Sequence, residues 1–283
     1  MNRLPFTTLL RLAGLVSAAL SPAGSPAALA QAPSELGSAF FDWDTLLPTP
    51  TAVGMVRAVV DAPTPGFTRL EIHVTTLNPG FAAHPPHHHP QEELILVKEG
   101  AIESSINGRR ERVGAGSLLF FASHDVHNLT NVGDRPATYY VINFYTAATA
   151  SVRDQPAAEW EPVDRLRSCV IDWEKLEPRR TEAGLRRDLI DSPTLTFAHL
   201  EVHATTANPG ARADKPHRLP QSMLVIVKSG IVKATVDGVA HSAGPGSIVF
   251  MASNASQSLR NPGPGPSTYF VFSVSSAATK AMD

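Results

Sequence analysis

"EIHVTTLNPG" at Glu71–Gly80 returns as "EVHATTANPG" at Glu201–Gly210, an offset of 201 − 71 = 130. Outward from this pair the offset persists. "PQEELILVKEG" from Pro90 matches "PQSMLVIVKSG" from Pro220, and "GAGSLLFFAS" from Gly114 matches "GPGSIVFMAS" from Gly244. "ATYYVINF" from Ala137 matches "STYFVFSV" from Ser267, and Asp42-Trp43 matches Asp172-Trp173. From about Phe40 to about Thr149 no insertion or deletion is needed. Self-similarity at one fixed spacing means two copies of one structural unit in tandem.

Each copy reads as β. "LEIHVTT", "ELILVKEG", "SLLFFAS" and "TYYVINFY" are short, rich in β-branched and aromatic residues, and bounded by Gly, Pro, Asn or Asp. Asn107-Gly108 and Asp237-Gly238 separate strand-like runs and suit the positive φ angles of a tight hairpin. Leu94 to Val97 is apolar at every position, so both faces of that strand should be covered, one by its own copy and one by a partner. Proline is abundant at 24 residues, charge is low at 18%, and helix signals are weak. The expected fold class is all-β, with two small antiparallel barrels or sandwiches packed together.

The expected organisation is a leader over residues 1–30, a first domain over 31–150 and a second over 151–283, joined near "SVRDQPAAEWEPVDR". The leader carries Arg3 and Arg11, an apolar run from Leu12 to Leu20, and Ala28-Leu29-Ala30 before a cut between Ala30 and Gln31. The run is too short to cross a bilayer, for which roughly 20 apolar residues are required. A periplasmic or secreted protein is expected, free of the membrane after cleavage. It lacks a twin-arginine pair, so it should fold and acquire any metal outside the cytoplasm. Cys169 is the sole cysteine, hence no internal disulfide, and its apolar neighbours make it a buried small hydrophobe. A net charge of −2 without basic runs gives no reason to expect nucleic acid.

"HPPHHHPQEEL" at His84–Leu94 concentrates four of the chain's eleven histidines. On an extended chain, residues two apart share a face, so His87 and His89 point together and Glu93 has the parity to join them. His127 is the natural fourth donor, from a neighbouring strand. Three neutral imidazoles and a carboxylate suit a divalent first-row metal and leave one or two coordination positions free. By the same parity His88 should face solvent, and Glu92 should face solvent or be salt-bridged. His84 is taken as a loop residue, and the mid-strand pair His73 and His203 as structural. Phe120, Phe121, Tyr139, Tyr140 and Phe144 supply apolar wall, with their facing left open.

The run His87-x-His89, three residues, Glu93, six residues, Gly100 resembles the first motif of the cupin superfamily, and "GSLLFFASHDVHNLTN" from Gly116 is similar to the second. Ala122 stands where the family usually has Pro, and His124 where it usually has Gly. The resemblance covers both repeats. It implies a bicupin of two jelly-roll barrels, with one metal on His87, His89, Glu93 and His127. In the second copy these positions are His217, Leu219, Met223 and Gln257, so that barrel is expected to be metal-free. Manganese or iron is favoured, and zinc, copper, nickel and cobalt are compatible with the donors. The expected function is that of a mononuclear-metal dioxygenase acting on a small hydroxylated, enolic or keto substrate, with Glu93 as ligand and proton acceptor. The alternatives are a non-redox hydrolase resembling ureidoglycine aminohydrolase, a decarboxylase, lyase or isomerase, or a binding protein without turnover. A small-molecule substrate is the expected partner, and homodimerisation is left open.

Overall fold

A computed structural model describes residues 34–153, 164–212 and 215–279; the expected leader, residues 1–30, lies outside them. The first copy runs β1 (Ala39–Phe41), β2 (Thr49–Thr51), β3 (Gly54–Thr64), β4 (Phe67–Leu77), β5 (Glu93–Glu99), β6 (Ile102–Ile106), β7 (Arg109–Val113), β8 (Leu118–Phe121), β9 (His127–Asn131) and β10 (Ala137–Tyr145). One helical turn, α1 (Ala147–Val152), follows. The second copy repeats the series as β11 (Cys169–Ile171), β12 (Arg179–Thr181), β13 (Gly184–Ser192), β14 (His199–Ala207), β15 (His217–Arg218), β16 (Ser222–Ser229), β17 (Val232–Val236), β18 (Val239–Ala243), β19 (Ile248–Met251), β20 (Ser256–Arg260) and β21 (Ser267–Ser275). Each copy folds as an antiparallel jelly-roll barrel of one large and one small sheet. The two-residue hairpins form where expected: Asn107 and Gly108 have φ of 48° and 84°, Asp237 and Gly238 of 46° and 83°, the left-handed values a type I′ turn demands.

The sequence boundary does not coincide with the sheet boundary. The large sheets are ordered β11-β8-β5-β10-β4-β3-β2 and β1-β19-β16-β21-β14-β13-β12. Each copy therefore lends its first strand to the other's sheet, β1 pairing with β19 and β11 with β8. The residues after the exchanged strands complete the clasp. Trp173 N–H donates to Ser117 Oγ and Trp43 N–H to Ser247 Oγ, both at 3.1 Å. The Trp173 ring lies over Gly116, where a Cβ would sit 2.8 Å from it, and Trp43 lies likewise over Gly246.

Strand alternation divides the apolar residues into three cores. Ile95, Val97, Leu119, Phe121, Tyr139 and Val141 fill the first barrel, and Val225, Val227, Val249, Met251 and Tyr269 fill the second. The opposite faces meet between the large sheets, where Leu94, Leu96, Phe120, Tyr140 and Ile142 pack with Leu224, Ile226, Phe250, Phe270 and Phe272. Each such side chain contributes about 1.5–3 kcal/mol on burial, so the inter-barrel core is a principal source of stability. This answers the open question of the aromatic wall: Phe121 and Tyr139 face inward, while Phe120, Tyr140 and Phe144 face the other copy.

It also corrects the expectation for Glu92. Its parity is indeed opposite to Glu93, but that side of the chain faces the second copy, and Glu92 is only 1% exposed. Its carboxylate accepts from the Thr194 and Thr196 hydroxyls at 2.5 and 2.6 Å and from the Leu195 and Thr196 N–H groups at 2.9 and 3.2 Å. Burial pushes its carboxyl pKa up, against the pull of those four donors.

Candidate metal centre

The segment carrying His87 and His89 is not a regular strand. It is hooked onto β9 by one isolated bridge in which His87 and His127 exchange both backbone hydrogen bonds, at 3.1 and 2.9 Å. That bridge carries the two-residue alternation expected of a strand. His87 and His89 share a side, with ring centroids 5.3 Å apart, and His88 is exposed. The His127 ring closes the group, 4.6 Å from His87 and 4.8 Å from His89. One ring nitrogen from each of His87, His89 and His127 falls within 4.8 Å of the others. Glu93, first residue of β5, places Oε2 3.6 Å from His89 Nε2 and Oε1 3.7 Å from His127 Nε2.

The tautomers follow from the backbone. His89 Nδ1–H donates to Gln91 O and His127 Nδ1–H to Asp125 O, both at 2.8 Å; His87 Nδ1 faces His127 O at 3.3 Å. A proton held on Nδ1 leaves the Nε2 lone pair available, the arrangement metal-bound histidines commonly adopt. His89 Nε2 and His127 Nε2 are both buried and without a hydrogen-bond partner. A buried polar atom left unpaired costs free energy. Two such atoms converging beside a carboxylate are what a cation would satisfy, so the donors present fit a divalent metal of the first transition row.

Two of the three imidazoles, His87 and His127, are biased towards the neutral form a ligand needs. Burial drives the His127 pKa down to about 4, so its imidazole is neutral near pH 7. Phe121 stacks on this ring at 4.2 Å and shields it from water. His87 is also shifted down, by burial and by His84 and His89. Burial opposes charge on His89 but Glu93 outweighs it and shifts it up. Glu93 is pushed up by its own burial, yet the imidazoles beside it, His89 first, leave it lowered.

The remaining histidines are placed as follows. The His84 ring lies 3.9 Å from that of His87 at the exposed rim. His124 adopts φ 63°, so the left-handed turn survives without glycine, and Nε2–H donates to Val152 O at 2.8 Å. Asn254 repeats that conformation in the second copy, at φ 62°. A polar row was missed in the sequence, where His73 was read as structural. The Glu71 carboxylate accepts from His73 Nδ1 at 2.6 Å and from Asn143 Nδ2 at 2.8 Å, and Asn143 pairs in register with Glu93. The signal was available: Glu71 and His73 are two apart on β4 and share its barrel face.

In the second barrel β15 still pairs with β20, His217 opposite Gln257. The backbone frame of the site survives there, but Gln257 Nε2–H donates to Met223 Sδ at 2.9 Å where the first barrel sets His127 against Glu93. One imidazole remains.

Residues 73–143 match the family model described as "Cupin domain". Solved structures similar to the chain include a putative glyoxylate induced protein from Pseudomonas aeruginosa (TM-score 0.65, 15% identity, covering 92% of this chain and 95% of that one). Another is protein Ylba from E. coli (TM-score 0.64, 14% identity, 90% and 97% covered). A third is the Lactobacillus farciminis oxalate decarboxylase in its formate complex (TM-score 0.62, 14% identity, 87% and 88% covered). At these identities the likeness is one of fold, and it extends over both copies.

Proposed function

We propose that this chain is a bicupin whose first barrel holds a metal, and that it is an enzyme of the mononuclear dioxygenase type. Its substrate is a small hydroxylated, enolic or keto compound. The observation that carries the reading is the convergence of two unpaired, buried Nε2 atoms on Glu93, with His87 at the rim. His87, His89, Glu93 and His127 hold the ion, with manganese or iron preferred. A divalent ion held by these four residues would supply Lewis-acid chemistry to a substrate oxygen.

The chain's own groups do the rest. The backbone carbonyls behind His89 and His127 hold both rings in the ligating tautomer. Glu93 accepts the proton a hydroxyl substrate sheds on binding, since its carboxylate is kept ionised by the neighbouring imidazoles. Phe121, Tyr139 and Val141 supply apolar wall. We include export in the proposal, on the strength of residues 1–30 alone.

A second reading, non-redox lyase chemistry on a small carboxylate, is favoured by the oxalate decarboxylase among the similar folds. Oxygen-electrode assays of protein loaded with Mn(II) or Fe(II), over diols, enols and diketones, separate the two. Substrate-dependent O₂ uptake that disappears in His127→Ala supports the dioxygenase. Product formation from a carboxylate with no uptake overturns it.

A further inference from the structure

The second barrel keeps an open space beside its packed core. A cavity of about 350 Å³ runs from the β12–β13 turn to β15 at the barrel mouth, within the size range of small-molecule sites, which favour barrel mouths. Its lining is mixed: Leu219, Met223, Leu259 and Val271 are apolar, and Glu201, His203 and Ser273 are polar. Met223, Ser273 and Glu201 stand side by side on β16, β21 and β14. Leu219 and Met223 occupy the places of His89 and Glu93, so the wall that bears ligands in one barrel is greasy in the other.

The charges on the polar side are already paired. Arg186, at the position of Val56, donates from Nη2 to Glu201 Oε1 and from Nε to Asp188 Oδ1, each at 2.5 Å. Arg179 Nε–H donates to the second Asp188 oxygen at 2.8 Å. Two guanidinium groups thus balance two carboxylates. An anion deep in the cavity would meet Glu201 and a cation would meet Arg186, and both are already paired, Glu201 with His203 as well; the remaining lining carboxylate, Glu182, is exposed at the mouth. Desolvating an unpaired charge is costly, whereas a neutral molecule faces no such penalty.

We propose that the second barrel is a binding site for an uncharged organic molecule with an apolar body and one hydroxyl or amide edge. The apolar body lies against Leu219 and Met223, and the polar edge meets Ser273 and Glu201. The site is independent of the metal centre and gives the degenerate copy a ligand of its own.

Methyl-¹³C-methionine labelling tests this, because Met223 lines the cavity, Met251 is packed in the same barrel's core and Met55 is on the first copy. The full chain would be titrated with phenol, benzoate and benzylammonium, with the Met223 signal assigned by Met223→Leu. A saturable Met223 shift with phenol alone is expected, with Met55 unmoved. Ser273→Ala should weaken it about 2- to 10-fold, the equivalent of one hydrogen bond. Leu219→Trp, with unchanged Met55 and Met251 signals to report folding, should abolish it. No saturable response to phenol in the wild type overturns the site, and saturation by benzoate or benzylammonium overturns the ligand class.

Discussion

Replacing Glu92 by Ala is expected to weaken the union of the two barrels far more than a loop carboxylate should. Its four donors come from three consecutive residues of the second copy, Thr194 to Thr196. Two are hydroxyls, which can turn elsewhere when the carboxylate is gone. The other two are the N–H groups of Leu195 and Thr196, which cannot. Stranding a buried donor costs about 1–3 kcal/mol, and two N–H groups are stranded here, which brackets the loss at about 2–6 kcal/mol. In a protein of this size 1 kcal/mol moves Tm by roughly 2–4 °C, so a fall of roughly 4–24 °C should appear by calorimetry. Glu92→Gln keeps one acceptor oxygen and should lose about half as much. A Glu92→Ala protein melting within about 2 °C of wild type, for which roughly 0.5–1 kcal/mol would suffice, would refute the anchoring argument.

The other predictions are more local. His127→Ala or Glu93→Gln should lower the metal content of purified protein, measured by elemental analysis, with affinity down at least about 100-fold, beyond an outer-shell effect. Gly116→Ala, at φ 96° with its Cβ 2.8 Å from Trp173, should destabilise by about 1–3 kcal/mol or more in chemical denaturation, while Gly114→Ala, with open space around it, should not. Glu201 is held down to about 2, by His203 and Arg186 against burial. A carboxyl pKa lowered on folding contributes stability that is present above the unfolded value of about 4.5 and is lost as pH falls towards 2. Glu201→Gln should accordingly flatten the acid limb of the stability profile between those values. Finally, residues 34–153 expressed alone would expose Leu94, Leu96, Phe120 and Tyr140, and should elute in size-exclusion chromatography as aggregate rather than monomer.

What the sequence made legible is what depends on spacing. The 130-residue offset located every equivalent strand, and alternation put His87 with His89 and turned His88 outward. Alternation reports that two side chains lie on opposite faces, and it is silent about what covers each face. Glu92 shows the difference. Leu94 to Val97 had been read as covered on both sides, and that argument extended by two residues would have buried Glu92 against the partner copy. The strand exchange was invisible for another reason: β1 and β11 are three residues each, too short for periodicity, and only contact with the opposite sheet determines where they pair.

The same alternation explains how one copy could lose its ligands without losing its fold. Between the copies the barrel-facing positions differ in kind: His89 stands against Leu219, Glu93 against Met223 and His127 against Gln257. The positions facing the inter-barrel core changed only in shape, Leu94 to Leu224, Leu96 to Ile226, Phe120 to Phe250 and Tyr140 to Phe270. Both sets lie on the same few strands, one residue apart. A ligand side chain contributes little to packing where no ion is held, so the inner face of the second barrel tolerates an apolar cleft. Its outer face is more constrained, because Leu224, Ile226, Phe250, Phe270 and Phe272 belong to the core shared with the first copy, and each truncation of a buried Leu or Phe would cost about 2–5 kcal/mol. The degenerate copy therefore remains folded as a consequence of serving as the other wall of the first copy's core, and its β11 strand is bonded directly to β8, next to the strand that begins with Glu93.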